Sequence, residues 1–302
     1  YFYVATWQRL RDLLKQMGKG EVEFIDPDLG FELCKMDGVN AIVLGSFAKA
    51  GNVFVTNVQV LDVGTKNLLG TASSRGEGPD SVLNKQIDEL SRQIAKNAGI
   101  SERRIEAAKI QVRDVTTSST EAYSYYLKGN EQFIDYDLEG ARQSFEQAVK
   151  LDPGFAAAYF YLSWTYSMLN NPRERDDAIE KAWNYSHKAT EKERLLIEAT
   201  YASFIEKNFG KRIEILKETV DKYPKDKEVH FELAHAYSRG RGMVEQSIEE
   251  YEKALSLDPN YPDALNMVAY EYINLGNLEK AVEYFKRYVS VLPGNPNPFD
   301  SL

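Results

Sequence analysis

Few residues in this 302-residue sequence have the types and spacing that catalysis or metal binding requires. The histidines are His187, His230 and His235, and the single cysteine is Cys34. His230 and His235 are five residues apart, so on a helix their rings point in different directions and form a poor chelating pair. Cys34 lies among apolar neighbours in a predicted helix, and residues 1–110 hold no histidine to activate its thiol. We therefore expect the histidines to pack between helices and Cys34 to be a buried structural thiol.

A glycine-rich turn, Gly76-Glu77-Gly78-Pro79, precedes a predicted helix that starts at Asp80. Backbone N–H groups at such a position can hold a phosphate, but the carboxylates of Glu77 and Asp80 repel an anion, so a loop and a helix cap are expected. Acidic pairs such as Glu249-Glu250 and Asp176-Asp177 are explained as solvated helix faces. The P-loop, H-E-x-x-H, G-x-S-x-G and kinase motifs are absent from the sequence. We therefore predict no catalytic residue, no metal and no cofactor, and a chain that is not an enzyme.

Charge is distributed unevenly along the chain. The 37 Lys and Arg residues against 46 Asp and Glu residues give a net charge of −9, and the whole excess lies in residues 116–302. This asymmetry predicts two domains, and the negative balance disfavours nucleic acid as a partner. No apolar run approaches the ~20 residues that cross a bilayer, so no membrane span is expected. One cysteine excludes an internal disulfide and leaves the cellular compartment open.

One phrase recurs three times in the second part of the chain. It reads SFEQAVKLDP ending at Pro153, EYEKALSLDP ending at Pro259 and EYFKRYVSVLP ending at Pro293. The last two prolines are 34 residues apart, and a 34-residue period of paired amphipathic helices closed by proline resembles the tetratricopeptide repeat. Small residues such as Gly129 let the two helices of a unit approach closely, and large residues such as Phe145 fill the space between them.

The resemblance predicts five repeats and the start of a sixth, at about 122–155, 156–192, 193–226, 227–261, 262–295 and 296–302. An insertion of about three residues is expected around Asn171-Pro172, and Arg212 stands where the third repeat should have a small residue. Ser118 and Glu121 have the spacing of a capping box in front of the first repeat. The sixth repeat stops early, which predicts an exposed apolar face on the fifth.

Residues 1–110 predict a small domain that mixes helices and strands. Helices are expected over Thr6–Met17, Leu29–Met36, Asp80–Asn97 and Ser101–Ala108, and strands over Asn40–Lys49, Val53–Val63 and Leu68–Arg75. The phrases GVNAIVLGSF and VTNVQVLDVGTKNLL resemble a family related to the N-terminal domain of TolB and to curli and flagellar envelope lipoproteins. The matching residues are Gly38, Asn40, Gly45, Ser46, Asp62 and Thr65; Lys66 replaces the usual glycine, and Tyr1–Val4 would match the second strand of that family.

The fold class expected is therefore an α+β N-terminal domain followed by an all-α superhelical solenoid. The domain boundaries are 1–110 for the TolB-like domain, 111–119 for a linker and 120–302 for the repeats. This arrangement resembles the C-terminal sensor or scaffold region of bacterial proteins that carry a Ser/Thr kinase, a nucleotide cyclase or a winged-helix domain. The phrases ATEKERLLIEATYA and PGNPNPFDSL resemble the kinase-associated branch. The resemblance favours the extracytoplasmic side of a bacterial inner membrane, with the cytoplasm as the alternative.

The resemblance also implies which side chains face a partner, because fixed positions of each first helix line the concave side of such repeats. These positions hold Tyr123, Tyr126, Asn130, Phe133, Phe160, Trp164, Met168, Tyr201, Phe231, His235, Arg239, Asn266, Tyr270 and Asn274. Aromatic side chains at this density favour capture of a protein or peptide, whereas Tyr126 and Tyr161 disfavour a carboxylate clamp. Two alternatives stay open: self-association through the C-terminal repeat in an envelope assembly, and sensing of a small ligand by the α+β domain.

Overall fold

A computed structural model describes residues 7–20, 22, 24–97, 99–107, 116–240 and 242–291. The predicted strand at Tyr1–Val4, most of the predicted linker and the predicted sixth repeat lie outside these residues. The chain divides into two compact units: a first unit, Phe24–Ile197, and a second unit, Tyr1–Glu23 with Glu198–Leu302.

The helices and strands follow the predicted order along the chain. They are α1 (Trp7–Gln16), α2 (Pro27–Met36), β1 (Ala41–Ala50), β2 (Val53–Asp62), β3 (Leu68–Glu77), α3 (Ile87–Asn97), α4 (Glu102–Ala107), α5 (Thr120–Ile134), α6 (Leu138–Leu151), α7 (Ala156–Met168), α8 (Pro172–Asn184), α9 (Glu191–Phe204), α10 (Phe209–Lys222), α11 (Lys227–Ser238), α12 (Val244–Leu257), α13 (Pro262–Asn274) and α14 (Leu278–Val291). Every predicted element of residues 7–107 is present, and each of its bounds lies within two residues of the predicted one, except for the start of the helix that ends at Asn97.

The three strands form an antiparallel sheet in the order β1-β2-β3. The β2–β3 turn places Lys66 at a backbone φ of 59°, a left-handed conformation that favours glycine. The turn is stabilised by Asp62, whose carboxylate accepts hydrogen bonds from the backbone N–H and the hydroxyl of Thr65 at 2.7 and 2.8 Å.

Two helices cover opposite faces of this sheet. On one face, Phe31 of α2 packs against Ile42 and Val63. On the other, Leu90 of α3 packs against Val58 and Ala72. The close approach of α3 requires Gly70, since a Cβ atom at that position would lie 2.6 Å from the Asn97 side chain. Cys34 of α2 is half-buried against the cluster of Phe31, Ile42 and Val63. Its burial and, to a smaller extent, the charge of Asp37 raise the pKa of its thiol.

Two capping predictions are wrong. Asp80 does not cap the helix that follows it; its carboxylate accepts from the backbone N–H and hydroxyl of Thr120 at 2.9 and 2.6 Å, and these bonds lower its pKa. The predicted helix instead opens with a π turn, Val82–Gln86, before α3. At the start of α5, Ser119 rather than Ser118 is the N-cap, because its hydroxyl accepts from the N–H of Ala122 at 3.2 Å.

The first unit contains two helical hairpins, α5–α6 and α7–α8, each joined by three residues. Gly129 of α5 faces the Phe145 ring of α6 so closely that a Cβ atom there would lie 2.7 Å away. The insertion predicted at Asn171-Pro172 is wrong: α8 begins 34 residues after α6, and Pro172 occupies the first turn of a helix, where a missing N–H is tolerated. The extra residues lie at 185–190, between α8 and α9.

The second unit contains the hairpins α11–α12 and α13–α14. Their shared core is dominated by Tyr251 of α12 and by Phe285 and Tyr288 of α14, all buried, with Leu265 and Val268 of α13 between them. Large aromatic rings fill the space that small residues such as Ala234 and Ala269 leave, as the repeat pattern predicts. The number of repeats stays a prediction.

Candidate functional site

The predicted partner-facing residues of the first unit lie on one face each of α5 and α7. We call this set the aromatic surface: Tyr123, Tyr126, Asn130 and Phe133 on α5, and Phe160, Trp164 and Met168 on α7. On each helix the members are three or four residues apart, so they fall on one side. Their exposure differs widely. Met168 is 43% exposed, whereas Phe160 is only 6% exposed and packs within the unit.

Tyr126 is the centre of the aromatic surface. Its ring centroid lies 4.9 Å from that of Phe155, and 6.0 Å from those of Tyr123 and Tyr161. Phe133, seven residues later on α5, lies 6.1 Å from Tyr161 in an edge-to-face arrangement. Ring pairs at these distances favour fixed orientations. The half-buried rings are therefore held in place before any partner arrives, which lowers the entropy cost of binding.

Asn130 supplies the polar group of the aromatic surface. Its Oδ1 atom is buried, and no hydrogen-bond donor reaches it from any part of the chain that the structure describes. Asn130 lies between Tyr126 and Phe133 on the same face of α5. A buried amide oxygen without a donor costs ~1–3 kcal/mol of stability.

The predicted residues of the second unit form a different surface. We call this set the polar surface: Tyr201 on α9, Phe231 and His235 on α11 with Arg239 at its end, and Asn266, Tyr270 and Asn274 on α13. The ring of Phe231 stacks on that of His235 at 6.2 Å and lies tilted against that of Tyr261 at 5.3 Å. Asn266 resembles Asn130, because its Oδ1 atom is also buried with no donor among the described residues.

Arg212 of α10 is the buried charge beside the polar surface. Only 2% of it is exposed, and its Nη2 donates to Glu232 at 2.9 Å and lies 3.4 Å from Nδ1 of His235. Arginine has no acceptor atom, so Nδ1 of His235 accepts and its ring proton is on Nε2. Burial, then the charges of Arg212 and Arg239, lower the pKa of His235 to about 3. Burial raises the pKa of Glu232, against the opposing effect of Arg212.

Models of the family described as "Tetratricopeptide repeat" match residues 122–155, 228–261 and 250–283. The chain contains tetratricopeptide repeats. The first match has the bounds predicted for the first repeat and covers α5 and α6. The other two cover α11, α12, α13 and the first turns of α14.

Several solved structures of repeat proteins are similar to this chain. YrrB, described as a TPR protein with an unusual peptide-binding site, is 21% identical, with a TM-score of 0.36 over 66% of this chain and 95% of that one. TTC0263, a TPR protein of Thermus thermophilus, is 16% identical, with a TM-score of 0.43 over 59% and 95%. PilW, a type IV pilus biogenesis factor, is 17% identical, with a TM-score of 0.44 over 61% and 83%. No curated protein matches the chain.

Polar pairs between tetratricopeptide helices were not predicted from the sequence. Tyr166 donates to Glu146 and Tyr272 to Glu252, each at 2.7 Å and each across 20 residues, from the first helix of one repeat to the second helix of the preceding one. This recurring Glu-to-Tyr spacing is a signal that the sequence carries. The Arg212–Glu232 pair also spans 20 residues, but no repeat pattern places an arginine there.

The histidines follow the packing prediction in two of three cases. His230 is buried and His235 is half-buried, but His187 is exposed in the connection between α8 and α9, so the prediction is wrong for it. Within the described ranges, no group of three or more His, Cys, Asp or Glu residues could hold a metal ion. No helix in that part of the chain has the length and hydropathy needed to cross a membrane.

Proposed function

We propose that this chain is a non-catalytic protein-binding region whose aromatic surface captures a segment of a partner protein. Tetratricopeptide repeats generally mediate protein–protein interactions. The observation that carries the proposal is the set of half-buried rings on one face of α5 that mutual packing holds in fixed positions. Tyr and Trp anchor interfaces because they bury large areas at a low cost in side-chain entropy.

The peptide chemistry that fits this surface is apolar. The rings of Tyr123, Tyr126 and Trp164 offer apolar contact to a peptide side chain. The polar surface of the second unit is a weaker candidate, since the charges buried beside it, Arg212 and Glu232, already pair with each other. We therefore place the main binding energy on α5 and α7.

The test is a selection of random 12-residue peptides against the wild-type chain, followed by affinity measurements on the enriched peptide. Substituting Tyr123→Ala or Trp164→Ala is expected to weaken binding by ~2 kcal/mol or more, because anchors carry most of the energy of an interface. Tyr166→Phe, on another side of α7, is the control and should leave the affinity unchanged. Unchanged affinity in both anchor variants, or no enrichment at all, would remove the assignment.

A finer proposal places this region in a bacterial signalling protein, where partner binding would bias an effector domain. The support is the resemblance of residues 1–100 to the TolB-related family and of residues 189–202 to the kinase-associated branch. Reading the coding sequence on either side of this region tests the idea. A kinase, cyclase or winged-helix domain in the same chain is expected, and a domain unrelated to signalling would contradict it.

A further inference from the structure

The two edge strands of the sheet in the first unit differ in whether other groups hydrogen-bond their outward-facing backbone. Along β3, the side-chain amide of Gln93 accepts from the N–H of Ser73 and donates to its carbonyl oxygen, both at 3.2 Å, and Asn97 donates to the carbonyl of Thr71 at 2.8 Å. These side chains of α3 satisfy the backbone groups that a further strand would otherwise pair with. The β3 edge is therefore protected against strand addition.

The direction of the β1 backbone follows from this arrangement. Because Ser73 points its N–H and C=O away from β2, its partner Asn57 directs its own groups toward β1, where it is paired with Ser46. The N–H of Val63 donates to the carbonyl of Asn40, so Asn40, like Ser46, directs its backbone groups toward the second strand. Residues 43, 45 and 47 of β1 consequently direct their N–H and C=O groups out of the sheet.

The β1 edge is open in both its backbone and its side chains. Within the described part of the chain, no residue hydrogen-bonds the outward backbone groups of Val43, Gly45 or Phe47. Val43 is 49% and Phe47 58% exposed, since α3 lies over β2 and β3 and leaves this side of β1 uncovered. An open edge flanked by exposed apolar side chains is a template for strand pairing.

We propose that β1 pairs in antiparallel fashion with β1 of a second copy of this chain, about a twofold axis at Gly45. In this register the residues whose N–H and C=O groups point out of one sheet lie opposite the corresponding residues of the other copy. Gly45 therefore lies opposite Gly45, and Val43 of each copy lies opposite Phe47 of the other. A β-branched residue opposite an aromatic one is a favourable cross-strand pair. The strand is thus self-complementary, as a twofold interface requires, and two three-stranded sheets become one of six strands.

Charge favours the same register. Lys49, the one charged residue of β1, comes opposite Ala41 of the other copy, and Ala41 is paired on its inner side with Asp62. Lys49 and Asp62 then lie on the same face, two strands or ~10 Å apart, which a lysine side chain reaches. Hydrogen bonds from the backbone and hydroxyl of Thr65 lower the pKa of Asp62, so its carboxylate is charged at neutral pH. The two Lys49 residues lie at opposite ends of the pair and do not repel each other.

The experiment measures the mass of the whole chain by light scattering and sedimentation over a ~100-fold range of concentration. The wild type is expected to dimerise as concentration rises, and Val43→Lys is expected to weaken the dimer at least tenfold by placing charge inside the edge. Leu69→Lys is the matched control, because Leu69 lies on β3 with a similar exposure of 48%. A wild type that stays monomeric, or a Val43→Lys dimer as tight as the wild type, would overturn the proposal.

A cross-link tests the register itself. In a Cys34→Ser background, Gly45→Cys should form a disulfide-linked dimer on mild oxidation, because residues paired at the axis have Cα atoms ~5.5 Å apart. Leu69→Cys in the same background should remain monomeric. A dimer that Leu278→Lys abolishes and Val43→Lys leaves intact would place the contact at the start of α14 instead, and the β1 pairing would be wrong. The cross-link is read without any partner peptide, so it stands apart from the binding function proposed above.

Discussion

The aromatic surface of the first unit and the polar surface of the second occupy the same kind of position on their repeats, yet they differ in chemistry. On α5 and α7, uncharged rings pack against one another around the donor-free oxygen of Asn130. On α11, the corresponding residues meet a buried ion pair, Arg212 with Glu232. The helical period determines which way a side chain points, but its neighbours determine whether it is available to a partner.

The difference between the two surfaces also separates two ways of using a repeat. Ring packing keeps the aromatic surface half-exposed and neutral, which suits binding. Around Arg212, each charge depends on another for its burial, because an unpaired charge in the interior costs several kcal/mol. We therefore expect substitutions around Arg212 to act mainly on stability, and substitutions of Tyr123 and Trp164 on the aromatic surface to act mainly on binding.

The largest predicted effect comes from removing one member of the ion pair. Glu232→Ala leaves Arg212 buried without its carboxylate, and we expect it to lower the free energy of unfolding by ~3–5 kcal/mol, measured by chemical denaturation. Glu218→Ala, which breaks the exposed pair with Lys222 on α10, is the matched control and should cost less than ~1 kcal/mol. Equal losses in the two variants would mean that Arg212 is effectively solvated, and the contrast between the surfaces would fail.

A smaller effect is expected at the centre of the aromatic surface. Tyr126→Ala removes a half-buried ring that contacts Phe155, Tyr161 and Tyr123, and we expect it to lower the melting temperature through a loss of ~2 kcal/mol. Tyr126→Phe keeps the ring and should retain most of the stability, since ring packing rather than the hydroxyl supports the cluster. A full loss in Tyr126→Phe would show that the hydroxyl matters as much as the ring.

Protonation gives the smallest effect for a change of one pH unit, and it distinguishes two histidines of one helix. His235 has a folded pKa of about 3 against ~6.5 unfolded, so stability is lost as the pH falls below 6.5, by ~1.4 kcal/mol per pH unit. Burial favours a low pKa for His230 too, but hydrogen bonds to Glu250 and the Pro224 carbonyl, with the Glu250 charge, raise it overall. The stability that protonated His230 contributes is therefore fully present below pH 6.5 and is lost as the pH rises through the raised pKa of the folded state.

Titration followed by imidazole NMR signals checks both directions in one sample. The His230 signal should shift above pH 6.5 and the His235 signal should stay in its neutral form down to the acid limit of the fold. His235→Gln should flatten the acid side of the stability profile. If both histidines titrated together near pH 6.5, His235 would not be buried beside the charge of Arg212.

Much of the fold could be predicted from the sequence because its signals are local. The Gly51-Asn52 turn and the 34-residue spacing of Pro259 and Pro293 depend on neighbours along the chain. The errors arose where distant atoms compete for a group: Thr120 takes the carboxylate of Asp80, and that contact spans 40 residues. Pro172 suggested an insertion, although it only begins a helix in the regular register.

The candidate site was less predictable than the fold. The repeat positions implied the faces of α5, α7, α11 and α13, but they did not separate the buried Phe160 from the exposed Met168. The role of Arg212 was also missed. The repeat pattern shows only that Arg212 replaces a small residue, and it does not indicate that Glu232 is its partner. The capped β3 edge depends on Gln93 reaching back over 20 residues, which no strand pattern records.

Helix α7 carries apolar residues around almost its whole circumference, and most of them are buried between α5, α6 and α8. During synthesis the chain leaves the ribosome from its N-terminus, so α7 emerges before the helix that covers its second side. Until α8 follows, the segment AAAYFYLSWTYSM exposes apolar surface and is a natural binding site for a chaperone. The order of translation therefore makes this helix a point at which a growing chain is prone to aggregate.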